Sequence, residues 1–87
     1  MDTLLSMAAT DAASADVTVA AGATVTLVLT GPGRARVQAK GVGGQYKDIG
    51  WLHGRTPECA LNVNGPVTIR VHRAAQNDSC AVGVEKG

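Results

Sequence analysis

Two runs of this chain leave little choice of fold. In "TVTLVLT" (24–30) Val25, Leu27 and Leu29 alternate with Thr24, Thr26 and Thr30. In "VTIRVHR" (67–73) Val67, Ile69 and Val71 alternate with Thr68, Arg70 and His72. A period of two sends successive side chains to opposite faces of an extended chain, so one face can be buried while the other meets water. β-branched side chains favour the same conformation. Both runs therefore read as half-buried strands.

The pattern recurs along the chain from residue 16 to the end, and turn residues punctuate it. "DVTV" places Val17 and Val19 on one face, and "AAGA" turns around Gly22. "GPG" at 31–33 precedes "ARVQAK", in which Ala35, Val37 and Ala39 oppose Arg36, Gln38 and Lys40. "GVGG" leads to "QYKDIGWL", and "HGRTP" leads to "ECALNV", with Cys59, Leu61 and Val63 inward. "NGP" is a turn, because Asn and Gly both accept positive φ. "AAQNDS" is a polar loop before "CAVGVE", in which Cys80, Val82 and Val84 face inward. About seven short strands at roughly 8–12-residue spacing predict a small antiparallel β-sandwich or barrel. No stretch beyond residue 15 carries a helical period.

"QYKDIGWL" breaks the rule. Apolar residues fall on both of its faces, with Ile49 and Trp51 on one and Tyr46 and Leu52 on the other. Either a bulge at Gly50 restores the phase, or Tyr46 and Leu52 meet another subunit. Tyr and Trp are favoured interface anchors.

The leader "MDTLLSMAATDAASA" is different again. It reads as an extended or partly helical arm over residues 1–15, ahead of a sandwich domain over 16–87. Alanine favours helix, yet so short a helix is marginal alone. Leu4, Leu5 and Met7 cluster near one face and are the expected anchors of an arm that docks against a neighbour. Asp2 stands where a secretion signal has its basic end, and "TLLSMAA" is too short and polar for the apolar centre of one. An intracellular product is the expectation. Cys59 and Cys80 then read as buried thiols, which could pair only if their strands were neighbours.

Size and charge narrow the roles. Among 87 residues there are eleven glycines, no phenylalanine, and only Tyr46 and Trp51 as aromatics. The core must be thin and aliphatic, and a domain this short gains from a partner. Eight Lys and Arg against seven Asp and Glu argue against a long-range grip on nucleic acid or an acidic membrane. Arg36, Lys40 and Arg70 would form a modest basic stripe if their strands share a sheet. Direct nucleic-acid binding would need stacking aromatics beside it, and only Tyr46 is at hand. No apolar run approaches the ~18 residues of a membrane span.

Nothing reads as an active site. His53 and His72 lack ligand spacing for a metal. Cys59 and the serines lack an activating context. Asp48 and Glu58, the strand-borne carboxylates, have little room for a cleft between them. The chain is read as no enzyme, with no catalytic residue, metal or cofactor.

The stretches "VTVAAGATVTLVLTG" (17–31), "VQAKGVGGQYKDIGWL" (37–52), "NGPVTIRVHR" (64–73) and "CAVGVE" (80–85) resemble small bacteriophage virion proteins of the head decoration, or cement, type. The resemblance is one of pattern and length over most of the body. It implies a structural protein made in the host cytoplasm and placed on the capsid surface. There it would bind the major capsid protein across capsomer seams, as a dimer or trimer. On this reading Leu4, Leu5 and Met7 dock the arm. Tyr46, Trp51, Leu52, Arg36, Lys40 and Arg70 supply the subunit or capsid contact. A small tail or fibre component and a carbohydrate-binding β-module are the alternatives. The second of these needs an exposed aromatic platform, and strict alternation puts Tyr46 and Trp51 on opposite faces.

Overall fold

A computed structural model describes residues 2–87. It is an all-β sandwich of two antiparallel sheets. The strands are β1 (Asp2–Ala8), β2 (Ala12–Ala13), β3 (Val17–Val19), β4 (Thr24–Thr30), β5 (Arg34–Lys40), β6 (Tyr46–His53), β7 (Ala60–Asn64), β8 (Val67–Arg73) and β9 (Val82–Lys86). One sheet runs β1-β9-β4-β7. The other runs β2-β8-β5-β6, with β3 on the same flank of β8 as β2. β5 and β6 form a hairpin, whereas most other connections pass from one sheet to the other.

The seven strands expected from alternation are β3 to β9, and outside β6 the alternation sorts their side chains as expected. Leu27 and Leu29 of β4, Val37 of β5, Ile69 and Val71 of β8, and Val82 and Val84 of β9 meet between the sheets. At roughly 25 cal/mol per Å² of apolar surface removed from water, this aliphatic layer is what the two sheets share. Gly65 shows how closely the layers approach at one turn. A Cβ there would collide with the Ala20 carbonyl oxygen, so the "NGP" turn admits no side chain at that point.

The leader takes the extended form of the two expected. It is not helical, and it is not a free arm. β1 pairs antiparallel with β9 through two irregularities, and Leu5 is 6 % exposed within the core. Leu5 therefore anchors the chain's own sandwich and is unavailable to a neighbour. The reason lies in β9, whose free edge would otherwise leave a row of unpaired backbone groups. Leu4 packs partly against the core, while Met7 is 56 % exposed.

β2 and β3 lie one after the other along β8. Ser14, between them, keeps the ladder going. Its backbone N–H donates to the Val71 carbonyl at 2.8 Å, and its hydroxyl accepts from the Val71 N–H at 2.9 Å.

The conflict in β6 resolves as a bulge. Val37 of β5 opposes Gly50, but Gln38 opposes Asp48, so Ile49 is the extra residue. The inserted residue flips the phase. Leu52 turns fully inward at 0 % exposure, which corrects its assignment to a subunit contact. Tyr46 and Trp51, opposite Lys40 and Arg36, share the outer face. This overturns their expected placement on opposite faces.

Cys59 and Cys80 are free thiols and half-buried. Cys59 directly precedes β7 and Cys80 closes a short 3-10 turn (Asp78–Cys80) ahead of β9, and β7 and β9 flank β4 rather than each other.

Candidate functional site

The outer face of the five-stranded sheet gathers the chain's exposed chemistry. β5 runs between β6 and β8, so Arg36 lies across from Trp51 on one side and His72 on the other. Gln38 lies between Asp48 and Arg70 in the same way. Arg36, Lys40 and Arg70 thus share one sheet face, as the stripe required.

The stripe is not bare. Arg36 sits 3.6 Å from the Asp48 carboxylate. Gln38 donates to Asp48 at 2.9 Å and accepts from Arg70 Nε at 2.8 Å. The Arg70 guanidinium covers the Tyr46 ring at 3.6 Å from its centroid. The Tyr46 hydroxyl donates to Asp16 at 2.6 Å, and Lys40 Nζ reaches the same carboxylate at 3.2 Å. Asp16, on the link between β2 and β3, thereby ties that flank to the β5–β6 hairpin. The Tyr46 hydrogen bond, then the Lys40 one, hold Asp16 below the usual carboxylate range. The same bond to Asp16 raises the Tyr46 phenol.

Trp51 dominates the other end. It is 42 % exposed, with the Arg34 and Arg36 guanidiniums 5.3 and 5.6 Å from its ring centroid. His53 stacks alongside at 6.2 Å and 22°. These spacings suit cation–π attraction, and Arg is the cation that most often makes it. Among the described residues no carboxylate lies within ion-pairing distance of Arg34. Beside this group two depressions meet, sharing Arg34 and Gln76. A small cleft of about 100 Å³ lies between Arg36, Trp51, His72 and Ala74–Ala75. A more open groove of about 610 Å³ continues past His53, Arg55, Glu58 and Cys80. Gln76 braces the junction, accepting from the Arg34 N–H at 3.0 Å and donating to its carbonyl at 2.9 Å.

The opposite surface, on the four-stranded sheet, is chemically quiet. Thr24 and Thr26 of β4 hydrogen-bond Asn64 and Asn62 of β7 at 2.7 and 2.8 Å. Val28 lies across from Ala60 on one side and Glu85 on the other. Met7 rests against Gly83 and Gly31 at its β1 margin. Thr3, Thr30 and Glu85 complete a shallow dip there.

Arg73 is the structural residue that alternation alone could have flagged. It continues the inward series Val67, Ile69, Val71 and is 3 % exposed. Its guanidinium donates to the carbonyls of Thr10, Ser6 and Val82 at 2.6, 2.7 and 3.0 Å. One side chain of β8 thus fastens the leader and β9 across the end of the sandwich. Asp16, Gln38 and Asp48 also went unmarked as partners of the stripe, because strand order, which decides who faces whom, is not written in any one strand.

Among the described residues no group of three or more His, Cys, Asp or Glu is close enough to hold a metal ion. No helix is long and apolar enough to cross a membrane. No protein-family model, curated protein or solved structure matches the chain.

Proposed function

We propose that this chain is a structural virion protein of the capsid decoration kind. It docks on the capsid through the outer face of its four-stranded sheet and stabilises the shell across the seams between capsomers. The observation that carries the reading is the contrast between the two faces. Interface centres are depleted of Lys, Glu and Asp and enriched in aromatics, Met and Arg. The threonine and asparagine surface of β4 and β7, with Val28 at its middle and half-exposed Met7 at its margin, meets the charge-poor and methionine parts of that description, while the aromatics and arginines lie on the other face. The arginine-rich face fits less well, because burying Arg36, Arg70 and their partners would strip water from several charges at once. On this reading the first contact is the four-stranded sheet with Met7, and Tyr46, Trp51, Arg36, Lys40 and Arg70, which stay on the surface, are the alternative contact.

The capsid itself is supported by the resemblance of residues 17–31, 37–52, 64–73 and 80–85 to decoration proteins. A thin sandwich of this kind gains from a partner, and a second or third copy on the lattice would supply one. Removing residues 1–15 is a poor test, since it takes Leu5 out of the core. The intact chain should instead be sedimented with capsids of the encoding phage assembled without it. Saturation at a fixed ratio to the major capsid protein is expected. A folded chain that stays in the supernatant would exclude the capsid as its partner.

The two-aromatic platform of a carbohydrate module receives mixed support. The bulge does bring Tyr46 and Trp51 to one face, but Arg70 covers the tyrosine ring. Only Trp51 remains open.

A further inference from the structure

We infer that β7 is the edge through which two copies of this chain associate, pairing antiparallel about a two-fold axis through Asn62. This names a self-contact that the capsid reading leaves open, and it does not depend on a capsid. Among the described residues the two sheets present four edges. An unpaired edge invites association unless it is short, bulged or charged. Three of the four are protected in these ways. β1 follows β9 through two irregularities. β2 and β3 are two and three residues long and are interrupted by the Asp16 link. β6 is bulged at Ile49 and carries Lys47 and Asp48. β7 has none of these features. Its five residues follow β4 without a register shift, and they include no charge and no proline.

The backbone groups of that edge are accessible and self-complementary. The Leu29 N–H donates to the Cys59 carbonyl at 2.7 Å, and the Gly65 N–H donates to the Ala23 carbonyl at 3.0 Å. Along an antiparallel ladder successive residues point their backbone groups to opposite sides. Leu61 and Val63 therefore bond to β4, while exposed Asn62 and Asn64 turn their backbone groups to the open side. A second β7 centred on Asn62 meets them in register. The two Asn62 residues exchange N–H and carbonyl, and each Asn64 N–H donates to the Ala60 carbonyl across the axis. The Ala60 N–H already donates to the Pro57 carbonyl at 3.2 Å and needs no further partner. A two-fold contact must be complementary to itself, and this one is.

The side chains agree with that register. The Asn62 amide oxygen accepts from Thr26, and an amide holds donor and acceptor together, so it complements its own copy. On the inner face half-buried Leu61 falls beside Val63 of the second copy and continues the core across the axis. β6 lies above β7, since a Cβ at Gly50 would meet Leu61 Cδ2 at 3.2 Å. Ile49, 51 % exposed on β6, therefore stands on the side of the sandwich that a second copy would cover. The charges on that side do not oppose their own copies. Asp48 is tied to Gln38 and Arg36. Glu58, ahead of β7, falls opposite Pro66 of the second copy. The His53 N–H donates to the Glu58 carbonyl at 3.0 Å, so β6 runs antiparallel above β7 and Lys47 stands toward the Asn64 end. The two copies' lysines then lie at opposite ends of the pairing.

Analytical ultracentrifugation of the intact chain without capsids tests the pairing, so its failure is separate from that of the capsid reading. A dimer is expected at about 1 mM, a concentration that reveals even a millimolar association. The Asn62 and Asn64 amides should exchange at least about tenfold more slowly in the dimer than in the diluted monomer, because only the dimer bonds them. Asn62→Lys sets like charges opposite each other across the axis and should weaken association at least about tenfold. Thr3→Lys, exposed on the β1 edge, should leave association unchanged. If circular dichroism shows Asn62→Lys unfolded, Asn62→Pro takes its place. It removes the central outward N–H, and proline is tolerated on an edge strand where that N–H faces water. A chain that stays monomeric at about 1 mM would overturn the proposal. So would a dimer indifferent to the Asn62 variant, a dimer weakened equally by Thr3→Lys, or fast exchange at Asn62 within the dimer.

Discussion

The two sheets bury similar side chains and expose different ones. Inside, β4 and β9 offer Leu27, Leu29, Val82 and Val84, while β5 and β8 offer Val37, Ile69 and Val71. Outside, the five-stranded sheet carries a mesh of guanidiniums, aromatics and carboxylates tied over three strands. The four-stranded sheet carries threonines and asparagines paired rung by rung. The same alternation built both. It leaves the outward half of every strand free to vary without disturbing the core, so a sandwich this thin can hold two unrelated surfaces back to back. One is poor in charge, the other a tied mesh of guanidiniums, aromatics and carboxylates.

The strongest way to break that comparison is to cut the sheets apart. Arg73→Ala removes three charge-assisted hydrogen bonds to the carbonyls of Ser6, Thr10 and Val82. It should cost about 3–5 kcal/mol, since bonds to charged groups are worth more than neutral ones and the carbonyls are left unpaired. Urea unfolding would measure the loss, and amide hydrogen exchange should show β1 opening before β5 and β8. Uniform exchange across both sheets would mean that Arg73 does not fasten the leader.

Leu52→Ala comes next. As a fully buried side chain on the bulged strand, it should cost about 3 kcal/mol when truncated. A surface residue, as alternation without a bulge would make it, would change stability by less than about 0.5 kcal/mol. Chemical denaturation separates these outcomes.

The smallest effect concerns the polar mesh itself. Asp16 is held below its ordinary value of 3.8 by Tyr46 and Lys40. The stability it adds is full above the ordinary carboxylate value and is lost as pH falls through the lowered folded value. Tyr46 is raised above 10.0 by Asp16. Its share is full below that value and is lost as pH rises through the raised one. Tyr46→Phe should therefore lower the urea midpoint slightly near neutrality and flatten the alkaline fall. The alkaline fall persisting unchanged in the variant would contradict the Tyr46–Asp16 bond as its source.

The strands of the body were legible because Val, Leu and Ile alternate cleanly with Thr and Arg in β4 and β8. The leader was not. Leu4, Leu5 and Met7 fit a helical face as well as a strand edge, and only the free side of β9 decides between them. β6 was half legible. Two apolar faces signalled a bulge or an interface, but the choice rested on packing against β5, where Val37 meets Gly50 and Ile49 drops out of register. The basic stripe was visible as Arg36, Lys40 and Arg70. The residues that neutralise it come from other strands and from a loop, so their pairing waited on strand order.

The central claim is that the proposed contact uses the four-stranded face and not the arginine-rich one, and one pair of variants tests it directly. Val28→Lys puts a charge at the middle of the quiet face, opposite Glu85, at a half-buried position, so its folding is first checked by circular dichroism. Arg70→Gln unties the mesh on the other side. Both would be sedimented with capsids of the encoding phage assembled without this protein. The account predicts that Val28→Lys loses capsid binding by about tenfold or more, because an interface there must strip water from the added charge. Arg70→Gln should bind as the unaltered chain does. Loss with Arg70→Gln and retention with Val28→Lys would place the contact on the five-stranded sheet and contradict the division of labour between the faces.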